Sequence, residues 1–359
     1  MSESPGAPAG EADTAVAVEP ITGDELRALT SYLADNGFAL GPVRAAAIGD
    51  GHSNITLAIT GPGADLVLRR PPRGPLPPSA HDVIREARIL RGLRATDVAV
   101  PAVLAVCEDP AVIGVPFFLM ERLTGHVVTE TIPPELDAEN DRRRMGSELV
   151  DGLVRIHAVD RHAAGLADIG RPSGYLERQL RRFGGLWQHN RTRDVPMIDR
   201  IAQWLESARP AEQDVCVVHG DYRLGNVMFA PTSPARLAAV FDWEMATLGD
   251  PLADVGYLSM LWADAGDPLL GGLEICPVTR RPGFYSRSEL LDQYAIKSGR
   301  DLSEIAWYQV LALWKLAIFM EGNYKRALSG LTDDPFLKSF ANGIHELCDR
   351  AAQVISEHS

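Results

Sequence analysis

The sequence predicts an α+β fold in two lobes: a small β-rich N-terminal lobe with one key helix, and a larger helical C-terminal lobe. Length is the first observation behind this, because 359 residues exceed what one hydrophobic core usually holds. The second is a change of periodicity near residue 124. Up to residue 123, short apolar runs rich in β-branched residues alternate with Gly and Pro punctuation. Beyond it, Met145, Leu149, Leu153 and Ile156 recur at helical spacing. The third is that this helical half is interrupted by a strand–loop–strand, "VVHGDYRLGNVMF", and by "LAAVFDWE".

Residues 1–20 lack a basic start and a long apolar run, so they read as a disordered tail rather than a secretory signal. Residues 21–36 read as a helix stopped by Gly37. Residues 43–60 read as a hairpin around "GDGHSN", and 65–70 as a further strand. Five prolines in 71–78 make a stiff loop. Ser79 with Asp82 is a capping pattern, which predicts a helix over 79–93. "VLAVCED" and "PFFLMERL" read as two more strands. After a narrow join at 121–125, helices are expected over 174–189, 196–208, 288–298 and 304–328. The domains are therefore 21–123, a nucleotide-binding lobe on the argument below, and 124–359, with a small-molecule cleft expected between lobes.

Composition narrows the function classes. The hydrophobic fraction of 46% with 23% charged residues is that of a globular protein. A net charge of −13 argues against nucleic acid or an anionic membrane as partner. Cys107, Cys216, Cys276 and Cys348 show no CxxC spacing and read as buried thiols of a cytoplasmic protein. The apolar stretch 305–320 contains Lys315 and is too short and mixed to span a bilayer.

The chemistry lies in "VVHGDYRLGNVMF", residues 217–229. Asp221 and Asn226 sit five apart in a glycine-bent loop, and Asp242 follows at the end of "LAAVF". A hairpin would set Asn226 beside Asp242 as a hard-oxygen pair suited to Mg²⁺, which takes one or two carboxylates and keeps waters. Asp221 is then left to accept a proton from an attacking hydroxyl. Phosphoryl transfer needs this division between metal ligands and a carboxylate that orients the nucleophile.

"HGDYRLGN" resembles the catalytic loop of the aminoglycoside phosphotransferase and choline kinase family, and "FDWE" resembles its metal-binding segment. The resemblance runs over nearly the whole chain after residue 21 and implies a protein-kinase-like bilobal fold, ATP and Mg²⁺ as cofactors, and transfer of a phosphate to a small-molecule hydroxyl. It makes Asp221 the catalytic base and Asn226 and Asp242 the metal ligands. It turns "IGDGHSN" from a plain hairpin turn into a phosphate-covering turn, in which Gly49 and Gly51 admit the phosphates and Ser53 and Asn54 donate hydrogen bonds. It puts Arg69 where the family has a lysine, with Glu86 as its ion-pair partner, and the adenine against the backbone near Glu121 and Leu123. It makes His219 a shaping residue rather than a base, and Asp254 a brace for the loop.

Two departures bear on the substrate. Gly220 replaces the arginine that in protein kinases grips a phosphorylated segment, and only seven residues separate Asp242 from Asp250, so a protein substrate is not expected. Residues 171–193 hold six arginines and one acid, Glu177, which would repel a polycationic aminoglycoside if they lined the cleft and otherwise form a solvated face. "VLRRPP", "FFLMER" and "FDWEMATLGDPLADVGYL" look most like the phosphotransferase domains fused to acyl-CoA dehydrogenases in animals. That likeness implies a hydroxyacyl-CoA acceptor. An aminoglycoside-modifying enzyme and a catalytically silent nucleotide-binding regulator are the rival readings; the oligomeric state is left open.

Overall fold

The computed structural model describes residues 21–48, 54–73, 81–268, 276–329 and 335–358. The chain divides into two compact units, Met1–Val83 with Ala105–Met120, and Ile84–Leu104 with Glu121–Ser359.

In the first unit, helix α1 (Gly23–Asp35) starts at a reciprocal capping box: Thr22 accepts from the Glu25 amide while the Glu25 carboxylate accepts from the Thr22 amide. Strands β1 (Arg44–Ala47), β2 (Ile55–Gly61) and β3 (Ala64–Arg70) form an antiparallel meander. Helix α2 (Val83–Arg94) follows, then β4 (Val103–Cys107), the short helix α3 (Pro110–Ile113) and β5 (Phe117–Glu121). The sheet order is β1-β2-β3-β5-β4. Alternate residues Leu57, Ile59, Leu66, Leu68, Phe117 and Leu119 bury one sheet face against Leu29 and Leu33 of α1. Each such side chain contributes roughly 1.5–3 kcal/mol of transfer free energy. The opposite face carries Thr56 and Arg69, paired across β2 and β3.

The helix expected from Ser79 begins at Val83 instead. His81 stands at φ 60°, a left-handed conformation that no helix interior accommodates, so the first turn cannot form until the chain has passed it. Although α2 was expected to belong to the N-terminal lobe, Ile84–Leu104 falls in the second unit. There Arg85 donates to the carbonyls of Ile169 and Ala246 at 2.7 and 2.5 Å, and Arg88 pairs with Asp168.

The rest of the second unit is mainly helical. Helices α4 (Glu139–His157), α5 (Tyr175–Asn190) and α6 (Pro196–Ser207) precede β6 (Cys216–Val218) and the antiparallel pair β7 (Val227–Phe229) and β8 (Leu237–Val240). Strand β9 (Thr247–Gly249) pairs with β6, and α7 (Leu252–Leu261), α8 (Arg287–Ser298), α9 (Ile305–Leu328) and α10 (Pro335–Glu357) follow. Helix α9 is packed against α5, α6, α7 and α10. It anchors through indole bonds, Trp307 to the Leu205 carbonyl at 3.0 Å and Trp314 to that of Ile198 at 3.2 Å. Its contact with α7 is close because Gly256 has no side chain there: a Cβ would lie 2.6 Å from the Tyr308 backbone. Helix α10 is not among the expected helices, although Leu337, Phe340, Ile344, Leu347, Ala351 and Val354 give it a helical apolar period.

All four cysteines are buried free thiols. No helix among the described residues is long and apolar enough to cross a membrane.

Candidate active site

Strand β6 delivers the chain into the polar loop, and its pairing with β9 fixes where the loop starts, with Val218 opposite Thr247. Gly220 turns it at φ 84°, and a Cβ there would lie 2.9 Å from the Met245 carbonyl, so only glycine fits both the conformation and the space. A short 3₁₀ turn at Leu224–Asn226 leads into β7.

Two buried side chains shape this loop. Asp254, at the start of α7 and 1% exposed, accepts from the backbone amides of His219 at 2.7 Å and Gly220 at 2.8 Å. Its other neighbour is the His157 ring at 3.3 Å. Burial alone would raise the Asp254 pKa. The His157 hydrogen bond and the neighbouring imidazoles and amide outweigh it and hold the carboxyl below its ordinary 3.8. His219 is fully buried; its Nε2 must donate to the Phe241 carbonyl at 2.8 Å, which leaves Nδ1 to accept from the Asp221 amide at 3.2 Å. Both ring nitrogens are thus committed to holding backbone, and the ring packs on Trp243 with centroids 4.6 Å apart.

Asp221 is held at each end of its carboxylate. Asn226 Nδ2 donates to Asp221 Oδ2 at 2.7 Å and to the Asp221 carbonyl at 2.8 Å. Tyr257, on α7, donates its hydroxyl to Oδ1 at 2.6 Å. Arg223 lies 3.4 Å from the same oxygen, which raises the guanidinium pKa against the opposing effect of burial. Burial and the adjacent Asp221 charge push the Tyr257 hydroxyl well above its ordinary pKa, so it stays a donor. Tyr257 is the site residue that sequence reasoning missed: a tyrosine in the apolar helix "LADVGYLSML" carries no signal of its partner.

The Asn226 amide also has a defined orientation. Its two partners on Asp221 are acceptors only, so the nitrogen must face them and Oδ1 points elsewhere, available to a cation. The β7–β8 pairing sets Val227 opposite Val240, and the Phe241 amide bonds the Asn226 carbonyl at 2.9 Å, so Asp242 follows immediately after Asn226's backbone partner. Asp242 adopts φ 62°, ψ 59°, the left-handed region that aspartate tolerates better than most residues, and then leads into a 3₁₀ turn at Trp243–Met245. One amide oxygen and one carboxylate fit a hard divalent cation.

A half-open pocket of about 250 Å³ lies over the loop, lined by Gly220, Asp221, Glu244, Met245 and Tyr257 and, from α9, by Lys315, Leu316 and Phe319. Leu316 and Phe319 give the pocket an apolar side, whereas Trp307 and Trp314 of the same helix are buried in the core. None of the six arginines of 171–193 lines this pocket. Arg178 bonds the Ser173 and Arg171 carbonyls, Arg181 lies 3.7 Å from Glu177, and Arg193 pairs at 3.0 Å with the buried Glu321. Of the remaining expected residues, Gly49, Gly51 and Ser53 lie outside the described residues. Asn54 and Glu86 are each 2% exposed, so Glu86 is not a solvated helix charge. Arg69 donates to Thr56 at 3.1 Å. Glu121 clasps Ala102, with a backbone bond of 3.0 Å and a carboxylate that accepts the Ala102 amide at 2.7 Å, and Leu123 follows β5. The seven residues between Asp242 and Asp250 are used by the 3₁₀ turn and β9, which leaves no activation segment.

Comparisons with known proteins bear on the family and the fold. Residues 44–275 match the model of the phosphotransferase enzyme family. The chain is 35% identical over 292 residues to acyl-CoA dehydrogenase family member 10 of Mus musculus, a match that takes in 81% of this chain and 27% of that protein. The chain spans less than half the length of the curated relatives it matches. A crystal structure from Ralstonia eutropha, described as a candidate aminoglycoside phosphotransferase, superposes with a TM-score of 0.77 at 30% identity, covering 92% of this chain and 98% of that one. An aminoglycoside phosphotransferase in ternary complex with AMP-PNP and hygromycin B shares the fold at a TM-score of 0.60 and 16% identity, over 91% and 98% of the two chains. The expected protein-kinase-like α+β fold and the expected likeness to domains carried by acyl-CoA dehydrogenase family members are both borne out. By its matched residues and its fold, the chain belongs to the phosphotransferase enzyme family.

Proposed function

We propose that the protein is a small-molecule kinase that moves the γ-phosphoryl group of Mg·ATP to an acceptor hydroxyl, with a hydroxyacyl-CoA as the acceptor class. The observation that carries the reading is Asp221, oriented by Tyr257 and Asn226 at the wall of an open pocket. In the step, Asp221 accepts the hydroxyl proton while the acceptor oxygen bonds to the γ-phosphorus. The bond from phosphorus to the β,γ-bridging oxygen breaks, and ADP leaves. Asn226 and Tyr257 orient the carboxylate, and its side chain, 23% exposed and part of the pocket lining, is open to an acceptor hydroxyl. Asn226 Oδ1 and Asp242 would hold Mg²⁺, which when bound neutralises phosphate charge. Nucleotide binding is assigned to the residues expected for it: Asn54, Arg69, Glu86, Glu121 and Leu123.

The hydroxyacyl-CoA assignment rests on the kinship to acyl-CoA dehydrogenase family members. An aminoglycoside acceptor is the second reading, favoured by the Ralstonia eutropha neighbour. The test is ADP release with hydroxyacyl-CoAs and kanamycin-type aminoglycosides, run beside Asp221→Asn. Acceptor-dependent ADP from a hydroxyacyl-CoA, lost in the variant, is expected. Turnover of aminoglycosides alone would establish the second reading. No acceptor-dependent ADP from any compound would make the protein a silent nucleotide binder.

A further inference from the structure

The pocket that contains Asp221 also contains a cation with no carboxylate partner among the described residues. Lys315 projects from α9 on the same face as Leu316 and Phe319 and lines the pocket with them. Among the described residues no carboxylate pairs with its ammonium and no acceptor takes a hydrogen bond from it; the group sits 4.8 Å above the Phe183 ring. Phe183 is fully buried and is fixed edge-on by Phe319, with centroids 5.1 Å apart. An aromatic face holds an ammonium by its quadrupole and satisfies none of its N–H donors, which remain available to a ligand.

A lysine within an apolar stretch of helix usually reaches for water or a carboxylate. This one is partly buried, and burial lowers its pKa to about 8, with the nearby Arg182 guanidinium opposing the charge and Asp254 and Asp221 supporting it. A partly desolvated cation without a fixed counter-ion costs stability, and an anionic ligand is the partner that would offset this. The carboxylates facing it from packed elements are already engaged: Asp221 by Tyr257, Asn226 and Arg223, and Asp254 by the His219 and Gly220 amides and the His157 ring. Glu244 is the other acid of the lining.

We propose that Lys315 is the acceptor-recognition residue of this pocket, binding a carboxylate or phosphate of the substrate whose hydroxyl is presented to Asp221. The acceptor class is thus a hydroxylated anion. This deepens the kinase reading and rests on it, and it transfers the discrimination against polycations from the arginines of 171–193 to one lysine of α9.

The test uses the full chain with Mg·ATP and matched probes: short ω-hydroxy acids, the corresponding hydroxyalkyl phosphates, and the neutral primary amides of the acids. Wild type, Lys315→Met and Lys315→Arg are compared by ADP release and by calorimetric binding. A charge-assisted hydrogen bond lost in a partly buried site corresponds to a KM or Kd increase of roughly ten- to a hundred-fold. The expected result is that wild type prefers anionic probes over amides by about that factor, that Lys315→Met abolishes the preference, and that Lys315→Arg restores part of it. Whichever of the two anionic series binds tighter identifies the group recognised. Equal binding of amides and anions by wild type, absence of binding to any probe, or a preference retained in Lys315→Met overturns the proposal. So does a rise in KM for ATP in that variant with the acceptor KM unchanged, because it would assign Lys315 to the nucleotide. Failure of the kinase reading has a different signature: no ADP in any arm, while calorimetry still separates wild type from Lys315→Met.

Discussion

Tyr257→Phe isolates one hydrogen bond of the carboxylate proposed as the base, Asp221. The substitution keeps the ring on α7 and removes only the hydroxyl, which donates to Asp221 Oδ1 at 2.6 Å. A hydrogen bond to a charged group is worth about 1.5–3 kcal/mol net. Two features put this one at the lower end. Asp221 keeps the Asn226 Nδ2 bond of 2.7 Å and the Arg223 contact at 3.4 Å, and with 23% of its side chain exposed, water can replace the lost donor. About 1.4 kcal/mol of lost orientation corresponds to a roughly ten-fold fall in kcat. Steady-state ADP release with a saturating acceptor reads kcat, and a nucleotide titration reads KM for ATP, which should stay within about two-fold if the pocket that Tyr257 lines takes the acceptor, as proposed. The thermal midpoint controls for folding. An unchanged kcat, or a raised KM for ATP at unchanged kcat, would show that Tyr257 does not orient the base and that the carboxylate is positioned by Asn226 alone.

Asp221→Asn should lower turnover by roughly 10²–10⁴ with Mg·ATP affinity retained, measured by single-turnover phosphate transfer and nucleotide binding. Asp242→Ala should weaken nucleotide binding in proportion to its Mg²⁺ dependence; an unchanged Mg²⁺ titration would remove Asp242 from the metal site. Asp254→Ala leaves the amides of His219 and Gly220 buried without an acceptor, about 1–3 kcal/mol each, so a lower chemical-denaturation midpoint should accompany the loss of activity. Because the folded pKa of Asp254 is depressed, its contribution is present above the ordinary 3.8 and is lost as pH falls through the lower folded value. Wild type should therefore lose stability more steeply than Asp254→Ala below about pH 4, and parallel curves would contradict the assignment.

Much of this protein is determined by local sequence. Thr22 and Glu25 cap α1 wherever the rest of the chain lies, and the spacing of Met145, Leu149, Leu153 and Ile156 makes one apolar face on α4. "HGDYRLGN" and "FDWE" carry the resemblance to the phosphotransferase family that the family match over residues 44–275 bears out. Tertiary structure decided what lies around them. The start of α2 depends on the left-handed His81, which a capping pattern does not reveal. The six arginines of 171–193 have the same residue types whether they face a ligand or solvent, and only the fold shows Arg193 on Glu321 and Arg181 beside Glu177. Tyr257 and Lys315 sit in helices whose apolar pattern predicts burial and says nothing of the partner. The close α7–α9 contact that Gly256 allows, and the loop held by Asp254, bring both to the pocket of Asp221. A helix's period specifies which face is buried; what that face meets depends on residues far away in the chain, and that information exists only once the chain has packed.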